Sequence, residues 1–426
     1  MTYFLWLTLA WANATPEKIT FHQALALALK QSPTYDQAVA AENTLRLQSK
    51  TAAYKLLPQA DVEATHSYTT HGGVSTGASH EPWSNSLGLA ISENLYDNGE
   101  SWRAIQISGV NERIGALVLQ RARDELFLRV AKAYYEFSSA AATTELERQR
   151  IDLLKVQYRA IEGRYRQGIS SPRDYLRIKA QVQRAEVGFS GKNVELEQAR
   201  QNLRSALGEP GPLDFEPLAV KTEKFASMTF PNIRVEDTVD YRITGMQDEV
   251  SDLKYKSAAR NDWPRLSLKG SYAYTQPEYI GRRNPGLDDP YWNLQASLIL
   301  DYALWDWGTR SRDVQIAANL RRSEKDGTAQ TRIQVTQDVW RIKAQAELLH
   351  QSYKQTQQIL KDDQTVFDTL NEGYRAGKVG YLELITALGD LFSSRAQLFG
   401  LQFNLLKAEA DLAFYRGDLD AVLHNQ

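Results

Sequence analysis

The sequence predicts a mixed α/β membrane protein built from two tandem structural repeats, each with a strand hairpin followed by a long helical hairpin. Three observations support this fold class. Matching residues recur at a nearly constant spacing along the 426-residue chain. Four segments alternate between apolar and polar residues over about ten positions, the length at which a tilted strand crosses a bilayer. Two stretches of about 65 residues contain no proline and have the apolar spacing of helices.

The duplication is clearest after the second predicted strand of each repeat. Residues 95–99 (LYDNG) recur as residues 304–308 (LWDWG), 209 positions later. The same spacing relates two Tyr-Arg-x-Gly motifs, which end at Gly168 and Gly377. The preceding strands match at a spacing of 206 positions, and a longer loop in the first repeat accounts for the difference. The matching residues there are Pro58 with Pro264 and Tyr68 with Tyr274.

Composition excludes several classes of protein. Lys plus Arg is 50 and Asp plus Glu is 52, so the net charge of −2 lacks the basic surplus of a nucleic-acid binder. With 0 Cys there is no thiol catalysis, no thiolate metal site and no disulfide framework. No apolar run of about 18 residues is present, which excludes a protein with several membrane-spanning helices.

The amino terminus resembles an export signal. Residues 3–11 are apolar, and Ala12-Asn13-Ala14 has the small-x-small pattern that signal peptidase cleaves. We therefore expect residues 1–14 to be a signal peptide and the mature chain to begin at Thr15. The segment lacks a Lys or Arg before its apolar stretch, so a short buried helix or strand is the alternative.

The first repeat (15–207) opens with a helical pattern from Phe21 to Leu57 and then alternates with a period of two residues. We expect strand hairpins at 59–96 and 265–305, joined by loops at 70–81 and 276–290. Aromatic residues near the strand ends favour a membrane hairpin over a soluble one. In membrane strands, amphipathic rings form girdles at the level of the lipid headgroups on both sides of the bilayer. The predicted girdle residues are Tyr68, Trp83, Tyr274 and Trp292 at the loop end and Tyr96, Trp305 and Trp307 at the other.

Long helical hairpins follow at 100–207 and 309–417. Each first helix would span on the order of 100 Å at 1.5 Å per residue, and the apolar spacing fits a coiled-coil-like pair. Both turns contain Gly, a C-cap signal. A Pro-rich linker (208–237) separates the repeats, and the second repeat covers 238–420. The turn residues are Gly168, Ile169, Ser170 and Ser171 in the first hairpin and Gly377, Lys378, Val379 and Gly380 in the second.

Taken together, these motifs resemble the TolC-type outer-membrane efflux proteins over about residues 19–419. The order of the motifs carries the resemblance: ITFxxAL at 19–25, LPQ at 57–59, LYDxG at 95–99 and the two Tyr-Arg-x-Gly turns. The resemblance implies a homotrimer whose copies each give four strands to one 12-stranded outer-membrane β-barrel, continued by a periplasmic α-helical barrel. It also implies a Gram-negative outer-membrane location, a periplasmic adaptor that contacts the turns, and an inner-membrane efflux pump or ABC transporter.

The resemblance further implies a gate at the turns. The family's acidic residue after the first turn and its Tyr before the second correspond to Asp174 and Tyr374, which would bond to hold the tunnel shut. The basic residue that usually joins them is replaced by Val379. The family's acidic ring falls at Glu383; a second ring position holds Thr386, and Asp390 could replace it from the same helical face. A solvated helix carboxylate is the alternative for each acidic residue.

Catalytic and metal-binding interpretations are weak. Residues 73–77 match G-x-S-x-G but join two strands, whereas a nucleophile elbow joins a strand to a helix. His66, His71 and His80 cluster near the same loop without supporting carboxylates. We therefore expect no enzyme and no cofactor. Two functions remain: an export duct of a tripartite efflux or type I secretion system, and a non-conducting periplasmic coiled-coil scaffold with a soluble β cap.

Overall fold

The computed structural model describes residues 18–68, 83–208, 211, 213–220, 222–226, 228–278 and 289–424. The predicted signal peptide, the G-x-S-x-G match, His71 and His80 lie outside these residues. Helices are the main component, and the chain contains one four-stranded sheet. None of the helices in the described ranges combines the length and the apolar character needed to cross a membrane.

The elements alternate in the order that the duplication predicts. The first repeat contains α1 (Phe21–Gln31), α2 (Pro33–Tyr54), β1 (Gln59–Tyr68), β2 (Trp83–Tyr96), α3 (Glu100–Arg166) and α4 (Pro172–Leu207). A short helix α5 (Thr222–Ala226) and a 3-10 turn (Val235–Asp237) follow. The second repeat contains α6 (Val239–Ala259), β3 (Arg265–Glu278), β4 (Tyr291–Asp301), α7 (Thr309–Arg375), α8 (Tyr381–Arg416) and α9 (Leu419–His424).

Two elements differ from the sequence-based expectation. The helical pattern predicted across 21–57 is divided at Ser32, because Pro33 has no backbone N–H and therefore begins a new helix. The amide of Tyr35 donates to the hydroxyl of Ser32 at 3.3 Å, which caps that new helix. Strand β3 runs to Glu278, beyond the predicted loop start at 276, because β3 pairs with β2 as far as Trp83.

The chain divides into two compact units. One comprises the described residues within 1–39, 119–241 and 332–426, and its main core joins apolar residues of α1, α3, α8 and α9. Buried rings such as Tyr134, Phe137 and Phe215 pack edge to face in this core. The other unit comprises 40–118 and 242–331 and contains the sheet. The sheet has the order β1-β2-β3-β4, and each neighbouring pair is antiparallel.

Candidate functional site

The register of the sheet places most apolar side chains on one face and most polar side chains on the other. Residues that pair across neighbouring strands point to the same side, because side chains alternate along a strand. We call the two sides the apolar face and the polar face. The apolar face includes Val62, Leu87, Leu89, Ile91, Tyr272, Leu294, Leu298 and Leu300, all exposed in the single chain. The polar face includes Asp61, Glu63, Thr65, Ser84, Ser86, Lys269, Ser271, Asn293, Gln295 and Ser297.

The predicted girdle residues within the strands lie on the apolar face, and two more follow the last strand. Tyr68 lies opposite Trp83 with ring centroids 4.8 Å apart, and Tyr274 lies opposite Trp292. At the other end, a bulge between Asn94 and Tyr96 brings Tyr96 opposite Leu266 and therefore to the apolar side. Trp305 and Trp307 follow β4, with side chains 75% and 80% exposed. The arrangement gives aromatic side chains at both ends of the sheet.

Each repeat turns from strand to helix through the same elbow, which we define as residues 97–103 in the first repeat and 306–312 in the second. The carboxylate of Asp97 accepts from the amides of Gly99 (3.1 Å) and Ser101 (2.8 Å). The carboxylate of Asp306 accepts from the amides of Gly308 (3.0 Å) and Arg310 (2.9 Å). These bonds satisfy the free amides at the start of a helix, which side-chain acceptors normally do.

Two successive left-handed residues make each elbow sharp. The φ angles are 62° at Asn98 and 73° at Gly99, and 57° at Trp307 and 76° at Gly308. Glycine adopts this region freely and asparagine tolerates it, whereas a tryptophan there is strained. Each elbow is closed by its own arginine. Nη2 of Arg103 donates to the Asn98 carbonyl, and Nη2 of Arg312 donates to the Trp307 carbonyl, each at 2.8 Å.

Burial and hydrogen bonds have opposite effects on the pKa of Asp97. Burial raises it, but the bonds donated by Ser101, Gly99 and Glu100 outweigh burial and hold the pKa below its usual value of 3.8. The pKa of Asp306 is also lowered, first by the bond from the Arg310 amide.

The turns that were predicted as adaptor contacts are mostly exposed, and the helix before each turn ends at a glycine. Gly168 and Gly377 both have a φ of 72°, the conformation that ends a helix with a left-handed residue. Ser171 caps α4 by accepting from the amide of Asp174 at 3.1 Å, whereas α8 begins at Gly380 without a side-chain cap. Ile169 is 71% exposed, so an apolar side chain projects into solvent at the first turn.

Tyr381 lies beside Tyr374, one of the two predicted gate residues, and the other, Asp174, affects its pKa. Asp174 itself accepts from the Ser171 hydroxyl at 2.8 Å, and Arg164 lies over the Tyr374 ring at 5.3 Å. The Tyr374 and Tyr381 rings are 6.1 Å apart. Burial first, and then Tyr374 and Asp174, raise the pKa of Tyr381 well above its usual value of 10.0. Its hydroxyl is buried and, within the described residues, has no hydrogen-bond partner.

The predicted acidic residues lie on the exposed side of α8. Glu383, Thr386 and Asp390 are exposed, while Leu384 and Leu388 are buried. Their spacing of three and seven residues places the three exposed side chains on one helical face. Within the described ranges, no three His, Cys, Asp or Glu side chains are grouped to hold a metal ion.

Sequence reasoning missed Tyr381 and Arg164 as neighbours of the predicted gate. Arg164 directly precedes the Tyr-Arg-x-Gly motif and Tyr381 begins the returning helix, so both residues adjoin the turns that the sequence predicted. Arg164, at the end of α3, contacts Tyr374 of the other repeat, whereas Tyr381 contacts Tyr374 across the turn of the second hairpin. Spacing within one repeat carries no signal for the first of these contacts.

Comparison with models of protein families identifies the family of this chain. The model of the outer membrane efflux protein family matches residues 24–209 and 249–418. The chain belongs to this family. The match covers both repeats, so the predicted resemblance is confirmed. Members of this family are efflux channels rather than enzymes. Membership also confirms the predicted location, the outer membrane of a Gram-negative cell with a periplasmic helical extension. A search of curated proteins found no match.

Solved channels share the fold at low sequence identity. The open state of MtrE from Neisseria gonorrhoeae is similar at a TM-score of 0.76 and 20% identity, over 94% of this chain and 89% of that chain. CmeC from Campylobacter jejuni is similar at 0.76 and 14%, over 96% and 90%. VceC from Vibrio cholerae is similar at 0.74 and 16%, over 93% and 96%. MtrE and CmeC are outer membrane channels and VceC is an outer membrane protein. At these identities the likeness establishes the fold.

Proposed function

We propose that this family member is the outer-membrane duct of a tripartite efflux or type I secretion system. It would passively export substrates that an inner-membrane efflux pump or ABC transporter delivers through a periplasmic adaptor. The observation that carries the proposal is the sheet with one apolar and one polar face, which continues through both elbows into helices of 67 residues. An apolar face suits lipid and a polar face suits a water-filled lumen.

The open edges of the sheet support assembly into a homotrimer. Within the described sheet, β1 and β4 each pair on one side only. Four strands are too few for a closed barrel, since the smallest have about eight. Three copies joined head to tail would close 12 strands into one barrel, because a heterologous contact forms a ring when its rotation closes.

Exposed apolar stripes on two helices support the same assembly in the helical unit. Helices α3 and α8 are joined by Lys132–Asp411 and Lys407–Glu136 ion pairs of 2.6 and 2.8 Å. Helix α4 contacts α3 and helix α7 contacts α8, and each of these two helices keeps apolar residues in solvent. The exposed residues are Leu176, Val187 and Val194 on α4, and Ile333, Trp340, Leu348, Ile359 and Val366 on α7. Their spacings keep each set on one helical face, which a neighbouring copy could cover.

The gate and the adaptor surface belong to the same proposal. Asp174, Tyr374, Glu383 and Asp390 would control the periplasmic end of the duct, and the turns 168–171 and 377–380 would contact the adaptor. Support comes from the exposure of the turns and from Tyr381, whose ring lies 6.1 Å from that of Tyr374 and whose pKa is affected by both Tyr374 and Asp174. Val379 carries no charge, so this gate would lack one of the family's usual ionic contacts.

Planar-bilayer conductance of the purified protein tests the duct. We expect small, flickering currents from the wild type and currents several-fold larger from the Asp174→Ala, Tyr374→Phe double variant. Equal currents from both proteins would keep the duct and reject this gate. No conductance from a membrane-inserted trimer of either form would reject the duct and favour the periplasmic scaffold.

A further inference from the structure

The apolar face of the sheet carries one row of polar side chains, near the strand ends that lie away from the elbows. His66 pairs with Asn85, and Asn85 pairs with Gln276, so the three residues form a row across β1, β2 and β3. All three are exposed in the single chain. Polar groups are unfavourable on a surface that faces hydrocarbon, so the row requires a polar environment or a polar ligand.

The duplication shows that strand pairing does not require this row. The counterparts of His66 and Asn85 in the second repeat are Tyr272 and Leu294, which also pair directly with each other. The neighbouring Tyr–Trp pair, by contrast, is present in both repeats. The first repeat therefore has a hydrogen-bonding pair at a position where an aromatic and an aliphatic residue also build the sheet.

The row lies at the level of the outer-leaflet headgroups. Helices α3 and α7 begin at the elbows, and the helical extension of this family is periplasmic, so the opposite strand ends face the outer leaflet. Asn85 precedes Tyr96 by eleven residues along β2. At about 3.3 Å per residue and a tilt of roughly 40°, these residues span about 28 Å along the membrane normal, slightly more than the apolar band of about 25 Å.

Contacts within the sheet hold these side chains in position for hydrogen bonding. Nδ1 of His66 donates to Oδ1 of Asn85 at 2.6 Å, and the His66 ring stacks on Trp83 with centroids 4.8 Å apart. That bond makes Nε2 of a neutral His66 an acceptor and the Asn85 amide group a donor. Tyr68, 56% exposed, adds an aromatic surface beside them. Sugar rings carry hydroxyls at their edges and C–H groups on their faces, so this combination suits a saccharide.

We propose that the row of His66, Asn85 and Gln276 binds the saccharide headgroup of lipopolysaccharide, the main lipid of the outer leaflet in Gram-negative outer membranes. The row crosses three strands and spans roughly 10 Å at about 4.8 Å per strand, comparable to the length of a disaccharide. The row contains no Lys or Arg, the residues that usually bind phosphate, so the sugar is the group recognised. This inference rests on the lipid-facing role proposed above for the apolar face.

Binding of rough lipopolysaccharide to the purified, detergent-extracted protein tests the site. The His66→Tyr, Asn85→Leu variant gives the first repeat the pair that the second already contains, so its strands should still pair. We expect this variant to need at least fivefold more lipopolysaccharide than the wild type for equal occupancy in native mass spectrometry, with phosphatidylethanolamine binding unchanged. The Thr65→Val, Ser86→Ala variant is the matched control, because this neighbouring pair lies on the polar face. It should bind both lipids as the wild type does.

A single substitution tests the site independently of the exchanged pair. Gln276→Leu removes the third member of the row, and we expect at least a twofold loss of lipopolysaccharide binding. Wild-type affinity in both site variants, folded by circular dichroism, would overturn the site. So would an equal loss from the control variant, or a parallel loss of phosphatidylethanolamine binding. A selective loss of lipopolysaccharide binding in a protein that conducts no current in planar bilayers would keep the site and reject the duct.

Discussion

Two buried tyrosines on the long helices differ in whether their hydroxyls have partners. The hydroxyl of Tyr134 lies 3.1 Å from the Ile19 carbonyl and 2.5 Å from the Glu216 carbonyl, so it satisfies backbone acceptors. The hydroxyl of Tyr381 is buried beside the predicted gate with no partner among the described residues. A buried polar group without a hydrogen bond destabilises the conformation that contains it. We therefore expect the Tyr381 hydroxyl to destabilise the conformation described here.

Replacing each tyrosine with phenylalanine separates the two roles. We expect Tyr134→Phe to lower the free energy of unfolding by about 1–2 kcal/mol, because two carbonyls lose their donor. We expect Tyr381→Phe to raise it by about 1 kcal/mol, because an unsatisfied group is removed. Thermal unfolding of the helical circular dichroism signal in detergent measures both. A loss of stability in Tyr381→Phe equal to that in Tyr134→Phe would show that the Tyr381 hydroxyl is bonded.

The elbow carboxylate of Asp97 makes a prediction about pH. Its folded pKa is lowered, so its contribution to stability is present above the usual value of 3.8 and is lost as pH falls through the folded pKa. We expect the unfolding temperature of the wild type to fall between pH 5 and pH 3. The Asp97→Asn variant should have a lower unfolding temperature at pH 6 and a flatter decline below pH 5. Parallel declines in the two proteins would contradict this assignment.

At the scale of the elements, the turn between α7 and α8 is packed more tightly against its preceding helix than the turn between α3 and α4. A Cβ on Gly373 would lie 2.6 Å from Cγ2 of Val379, whereas a Cβ on Gly163 would meet nothing within 4 Å. Both glycines lie in the last turns of 67-residue helices. Val379, one of the residues predicted to contact the adaptor, therefore lies directly against Gly373 of α7.

Alanine substitutions at these glycines form a matched pair. Gly163→Ala should stabilise the protein by roughly 0.5–1 kcal/mol, because alanine is the better helix former. Gly373→Ala should lose that gain through crowding, and adding Val379→Ala should restore it. Unfolding temperatures of the three variants measure the difference. Equal stabilisation by Gly163→Ala and Gly373→Ala would contradict the packing of the second turn.

Most elements could be predicted because their signals are local and occur twice. The strands, the elbows and both turns follow from a two-residue period, a repeated motif and glycine C-caps, each checked by its counterpart 206 or 209 positions away. The helix break at Ser32 was missed because the apolar pattern continues across Pro33. The contact of Arg164 with Tyr374 was missed because it depends on how two hairpins pack, which spacing within one hairpin does not encode.

At the scale of the whole molecule, the proposed ring makes a single chain one third of a periodic arrangement. Within one chain, β2 of the first repeat pairs with β3 of the second, and in the proposed ring β4 would pair with β1 of another copy. Neighbouring copies would then also cover the exposed apolar stripes on α4 and α7. Duplication therefore links the sequence to the proposed duct, because a repeat that adds strands head to tail closes into a ring.

Single-particle electron cryomicroscopy of the purified, detergent-extracted protein tests this central claim most directly. The account predicts a ring of three copies with 12 strands, in which β4 of each copy pairs with β1 of the next. Single chains with an open four-stranded sheet, or a ring in which β4 and β1 do not pair, would contradict it.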